Sequence, residues 1–379
     1  MVIPGSEVLA QQNFKLLHGK AVGLMTNPGA VTRTLRSTYD LFAASDEVHL
    51  SGLYGPEHGF SASVQDGQKV ESSVDARTGV PIHSLYGATM RPTPEMLADI
   101  DVMVCDIQDI GVRYYTFLWT ISHIIEVCGE LNIPVILLDR PNPIGDTVSG
   151  FGLDSDISTL VGRYDIPIQH GMTLAEMTAY LNQNHNENPC DLTVIPCENY
   201  QRGMSWEATG LHFVPPSPNM PHLVTARHYA GSCLIEGTGL SEGRGTTLPF
   251  EIVGAPYIDG DALAQELNAL DLSGVRFRPH AFQPNMSKYA GESCSGVQAH
   301  ISDLSEFRPI ETWLHVISTI RRNYPDQFEW KEKHFDRLIG NVRVRQAIDA
   351  GERVAEMMAG CDDYCADFQQ KRKPYLLYD

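Results

Sequence analysis

The sequence predicts an α/β fold, a Rossmann-like and mainly parallel sheet domain followed by a second, smaller α+β domain. Three observations carry that expectation. Short apolar runs ending in polar residues recur through the first half, two of them bracket a segment of helical periodicity, and the proline-rich stretch Pro215 to Pro221 separates this texture from a different one. Unbroken apolar runs are what strands covered on both faces require, and parallel strands need helical crossovers.

The runs are Ala21 to Met25 before Thr26 and Asn27, Val48 to Leu53, Val102 to Cys105 before Asp106, and Val135 to Leu138 before Asp139. Between the last two, Phe117, Ile121, Ile124, Ile125, Cys128 and Leu131 repeat at helical spacing, completing a strand-helix-strand unit. Thr173 to Glu176 reads as a capping box opening a helix through Leu181, and Leu192 to Ile195 as a further strand. The prolines of 215–221 lack donors and fix φ, so neither helix nor central strand can run through them. This places a domain change there, with residues 1–215 expected as the catalytic domain and 216–379 as the smaller one completing a cleft. In the second part, Val275 to Arg278 and Val297 to Ile301 read as strands. Ile310, Trp313, Leu314 and Ile317 form one helix face, and Val354 to Phe368 reads as another helix.

A chain of 379 residues exceeds the size at which a single core usually keeps growing, which agrees with two domains. Its formal net charge of -19 opposes binding to nucleic acid or an anionic membrane. The short basic run Lys371, Arg372, Lys373 reads as a solvated helix end. No leader pattern opens the chain and no stretch approaches the roughly 18 apolar residues of a membrane span. As it stands the chain is expected to be soluble and cytoplasmic, or periplasmic or secreted if a leader was trimmed. Its eight cysteines form no C-x-x-C pair and are expected as free thiols. Fourteen histidines occur without H-E-x-x-H or similar spacing, so no metal and no cofactor is expected. A G-x-S-x-G elbow and a P-loop are both absent.

In doubly wound sheets ligands bind beyond the carboxyl ends of the strands. Glu57, Asp106, Asp109, Asp139 and Arg140 all follow predicted strands. Three segments concentrate reactive groups. In Tyr54-Gly55-Pro56-Glu57-His58-Gly59-Phe60, glycines and a proline stiffen the backbone around one carboxylate and one imidazole. In the segment from Asp106 to Tyr115, Asp106 and Asp109 can meet sugar hydroxyls or supply a carboxylate, and Arg113 can pair with an anion. In the segment from Glu236 to Thr247, Glu236, Glu242 and Arg244 lie within nine positions among four glycines. Each also has a plainer reading as a turn or a loop-ordering ion pair.

At these same segments the sequence resembles the NamZ-type exo-β-N-acetylmuramidases. The likeness runs through Gly55 to Phe60, Asp106 to Gly111, Asp139 to Pro143, Ile168 to Thr173, Pro215 to Pro221, Glu236 to Thr247 and the closing Arg372 to Tyr375. It departs after Phe60, where Ser61 to Gly67 replaces the charged, Arg-Gly-containing stretch expected there. The resemblance implies release of N-acetylmuramic acid from the non-reducing end of peptidoglycan fragments, a cleft between the two domains, and Glu57 as the acid catalyst. Glycosidic cleavage passes through an oxocarbenium-like state, which needs an acid at the leaving oxygen and a carboxylate, a water or the substrate's acetamido group on the other face. Asp109, Glu236 and Glu242 are the candidates for the second carboxylate. Arg244, Arg113 and Arg163 are the candidates for the lactyl carboxylate of muramic acid, and His58, Asp106, Asn219 and Glu236 for other substrate contacts. Two rival readings stay open: a non-catalytic muropeptide-binding protein, and a nucleotide-dependent oxidoreductase, against which the missing glycine fingerprint counts.

Overall fold

The computed structural model describes residues 1–57, 73–87 and 89–379. Seven strands form the large sheet: β1 (Ala21–Thr26), β2 (His49–Gly55), β3 (Ser73–Val74), β4 (Pro81–Ser84), β5 (Val102–Asp106), β6 (Val135–Leu138) and β7 (Leu192–Ile195). Their order is β3-β4-β2-β1-β5-β6-β7, with every pairing parallel except β3 against β4. The order reverses between β1 and β5, the topological switch point at whose carboxyl edge such sheets hold ligands. Alternate residues of β5 feed two cores, Met103 and Cys105 on one face and Val102 and Val104 on the other. The 15-residue helix Phe117–Leu131 covers the first face and buries Phe117, Ile121, Ile124, Ile125 and Cys128 of the predicted stripe, while Leu131 at its end is exposed.

A smaller antiparallel sheet, β8 (Ile252–Ala255), β9 (Val275–Phe282) and β10 (Cys294–Ile301) in the order β8-β10-β9, follows the proline-rich stretch. Its helices include Pro309–Asn323, whose Trp313, Leu314 and Ile317 are fully buried, and Glu332–Ile339. The α/β class and the smaller α+β part are as the sequence predicts. The helix expected from Val354 to Phe368 is instead two, Val354–Ala359 and Asp362–Arg372, broken at Gly360. The capping box forms: Thr173 accepts from Glu176 N, and the Glu176 side chain accepts from Thr173 N. Arg372 is not a solvated helix end. It is buried and donates to the carbonyls of His170 and Gly171. All eight cysteines are buried free thiols. No helix among the described residues is long and apolar enough to cross a membrane.

The carboxyl edge of the sheet is locked by polar groups rather than by apolar packing. Asp106 is fully buried and meets Arg140 through both oxygens, with Arg140 Nη2 at 2.8 Å from Oδ2, while Thr38 also donates to it. Asn27 and Gln108 exchange amide and backbone hydrogen bonds of 3.0 and 3.1 Å, tying the end of β1 to the loop after β5. Removing one partner of a buried ion pair strands the other charge. Asp106→Asn should therefore lower stability by about 3–5 kcal/mol in urea denaturation. A loss under about 1 kcal/mol, the range of exposed pairs, would contradict this structural role.

Candidate functional site

Pro56 ends β2 and sets Glu57 beyond the carboxyl edge of the sheet, where its Oε2 accepts a 2.5 Å hydrogen bond from Thr116 Oγ1. Thr116 directly precedes the helix Phe117–Leu131, so one helix start fixes the carboxylate. Glu57 lines a cavity of about 190 Å³ that both parts of the chain build. The large-sheet part contributes Tyr114, Tyr115 and Thr116 from the loop after β5 and Leu160 and Val161 from a turn. The second part contributes Tyr229, Cys233, Glu236, Arg244, Phe250 and Leu338, and the proline-rich stretch adds Ser217, Asn219 and Met220. Two larger hollows, of about 660 and 540 Å³, lie among the outer helices of the second part and hold none of the predicted site residues.

The cavity is aromatic. Tyr115, Tyr229 and Phe250 form an edge-to-face series with centroids 5.9 and 4.7 Å apart, and Arg244 lies 4.9 Å above the Phe250 ring. Flat rings of this kind suit the apolar face of a pyranose. Arg244 donates to Glu236 Oε1 from Nε at 3.0 Å and Nη2 at 2.7 Å. Burial lowers the Arg244 pKa to about 10, so it stays a cation at neutral pH. Burial, with Glu242 as a nearby like charge, pushes the Glu236 carboxyl up, while His334 pulls it down.

The structure brings Glu57, Glu236, Arg244 and Asn219 to one cavity. Of the other predicted residues, it places those it describes elsewhere, and each has a physical reason. Asp106 is fully buried, held by Arg140 and Thr38, and does not line the cavity. Arg113 is fully buried and donates to four backbone carbonyls, those of Phe151, Ile166, Leu338 and Ile339, so it cannot also pair with a ligand anion. Arg163 is held by Glu126 and Ser122 on the helix Phe117–Leu131. Glu242 is buried behind the wall on Lys288. Asp109 is also buried outside the cavity lining. Tyr54, which opens the same segment, is a core residue whose hydroxyl donates to Met96 O. His58 and Phe60, with the departing segment 61–67, lie outside the described residues.

The residues that sequence reasoning missed are Thr116, Tyr229, Phe250 and Lys288. Thr116 and Tyr229 carry no motif signal. Phe250 and Lys288 follow the glycine-rich segment, but nothing local marks them. Among the described residues no group of three or more His, Cys, Asp or Glu side chains is placed to hold a metal.

Asp109 Oδ1 accepts from Gly111 N at 2.7 Å, whereas its Oδ2 has no hydrogen-bond partner. Gly111 takes φ +76°, and a Cβ there would lie 2.2 Å from Asn142 Nδ2, so only glycine forms this turn. Burial raises the Asp109 pKa to about 7, partly offset by the backbone donors. A folded value above the ordinary one means the fold retains this proton. That contribution is complete below about pH 4 and is lost as pH rises through about 7. Asp109→Asn, which stays neutral, should gain stability relative to the wild type between about pH 5 and about pH 8. Urea midpoints of both proteins at the two pH values check this, and an unchanged difference would contradict it.

Residues 22–224 match the family model described as exo-beta-N-acetylmuramidase NamZ, N-terminal, and residues 227–378 match its C-terminal counterpart. A curated relative, the peptidoglycan beta-N-acetylmuramidase NamZ of Bacillus subtilis strain 168, is 42% identical over 376 residues, covering 99% of this chain and 91% of the relative. Two crystal structures of DUF1343 family proteins from Bacteroides fragilis share the fold over all of this chain and 99% of theirs. One has TM-score 0.92 at 37% identity and the other 0.80 at 30%.

Proposed function

The chain belongs to the NamZ exo-β-N-acetylmuramidase family, and from that premise we propose that it is a glycosidase that removes N-acetylmuramic acid from the non-reducing end of peptidoglycan fragments, with Glu57 as its acid. The observation that carries the residue assignment is that two carboxylates from opposite ends of the fold, Glu57 and Glu236, line one cavity. The substrate is a muramic acid-containing saccharide, and the activity serves turnover and recycling of the cell wall.

Cleavage needs a proton on the departing oxygen as the C1–O bond breaks. Thr116 occupies Glu57 Oε2, which leaves Oε1 to carry that proton. Glu236 is the proposed carboxylate for the developing oxocarbenium charge or for activating water, since Asp109 and Glu242 both sit behind the cavity wall. The lactyl carboxylate of the sugar is drawn to Arg244, a cation of the lining, and Asn219 supplies an amide for hydroxyl or acetamido contacts. Tyr115 and Tyr229 receive the ring and, with Phe250 packed behind them, exclude water.

Glu57→Gln should lower kcat on a MurNAc-GlcNAc disaccharide by on the order of 10²–10⁴-fold, the usual contribution of a general acid. The loss should be much smaller on a nitrophenyl glycoside of MurNAc, whose leaving phenolate needs little protonation. Equal losses on both substrates would remove Glu57 from the acid role.

A further inference from the structure

Behind the cavity wall a partly buried cation without a place in the proposed chemistry meets a buried carboxylate. Glu242 is 2% exposed, and a carboxylate that deep must be paired. Among the described residues two cations reach it: Lys288 Nζ at 2.9 Å from Oε2, and Arg244 Nε at 3.5 Å from Oε1. Lys288 directs its other two N–H bonds to the carbonyls of Ile235 at 3.1 Å and Leu240 at 2.7 Å, which use up its donors. Ile235 immediately precedes Glu236. One ammonium thus pins the chain on both sides of Glu236 while neutralising Glu242.

The backbone is bent to deliver that ammonium. Ser287 and Tyr289, on either side of Lys288, take φ +66° and +57°, conformations that L-residues other than Asn and Asp seldom adopt. The same loop rests on the Arg244 segment: Asn285 N donates to Gly245 O at 2.9 Å, and a Cβ on Gly245 would lie 2.7 Å from Met286 N and O. The strain persists because the loop is held at both its base and its tip.

We propose that Lys288 is a positioning residue for the glycosidase site: by satisfying Glu242 and clamping Ile235 and Leu240, it reserves Arg244 for Glu236 at the cavity wall. Without the ammonium, Glu242 has only Arg244 within reach among the described residues, and a modest rotation carries the guanidinium from Glu236 to Glu242. Glu236 and the cavity then both lose their cation.

The kinetic arm rests on the exo-muramidase reading, and a structural arm does not. Lys288→Met should lower kcat/KM on a nitrophenyl MurNAc glycoside by about tenfold or more, with most of the change in KM, because the cation that meets the sugar's carboxylate has moved. Lys288→Met combined with Glu242→Gln removes both the charge and the need to neutralise it, and should recover most of the loss. Glu242→Gln alone should stay within about threefold of the wild type. A double variant no better than Lys288→Met, or Glu242→Gln as inactive as Glu57→Gln, overturns the proposal. If Lys288→Met does not fold, the double variant decides, since it should fold and retain activity. A crystal structure of Lys288→Met, or failing that of the double variant beside Lys288→Ala, should show Arg244 turned to Glu242 wherever that carboxylate is unpaired and on Glu236 where it is absent. Arg244 remaining on Glu236 in the single variant overturns the proposal even if the wild type proves inactive on MurNAc, a result that would instead remove the functional reading.

Discussion

The guanidinium of Arg113 holds the two parts of this molecule in one register. It is a cation at 0% exposure whose two terminal nitrogens donate to carbonyls alone: Phe151 and Ile166 from the large-sheet part, and Leu338 and Ile339 from the last turn of the helix Glu332–Ile339. Those last carbonyls are groups a helix end leaves unpaired, at the negative pole of its dipole. Gly340 then turns away at φ +98°. Burying a cation against dipoles costs part of its charge stabilisation, and the Arg113 pKa falls to about 10 through desolvation. In return, Tyr114, Tyr115 and Thr116, which follow Arg113 in the chain, face Leu338 across the cavity. The loop that orients Glu57 is thereby fixed to the half of the molecule that supplies Glu236 and Arg244.

Around that joint the carboxylates divide by environment. Asp106 is tied to Arg140 and stiffens the sheet edge, Asp109 sits behind the wall with its pKa raised to about 7, and Glu242 rests on Lys288. Glu57 and Glu236 alone among the predicted catalytic carboxylates line the cavity, one held by a hydroxyl and the other by a guanidinium. Similar side chains thus serve as strut, buried acid or, in the proposed reaction, reacting group according to which partners the fold supplies.

The strands of the large sheet were legible because covered parallel strands are plain apolar runs, as in Val102 to Cys105 and Val135 to Leu138. The short β3 and β4 lack such a signature, and the break at Gly360 is a local stop inside an otherwise helical pattern. Glu57 stood out because its flanking glycine and proline mark a stiff turn after a strand. Asp106 occupies an equivalent place after β5, yet its role depends on Arg140, 34 residues on, and the same holds for Arg113, whose acceptors lie up to 226 residues away. Spacing along the chain carries no information about such partners. Lys288 was hidden for the same reason, since its meaning comes entirely from the carbonyls and the carboxylate it reaches.

The most direct test of the account is to incubate the protein with the disaccharides MurNAc-GlcNAc and GlcNAc-MurNAc and to identify the free monosaccharides. Release of MurNAc and GlcNAc from the first and none from the second is the predicted result. Cleavage of the second, or of neither, would contradict an exo-acting site built for a terminal muramic acid.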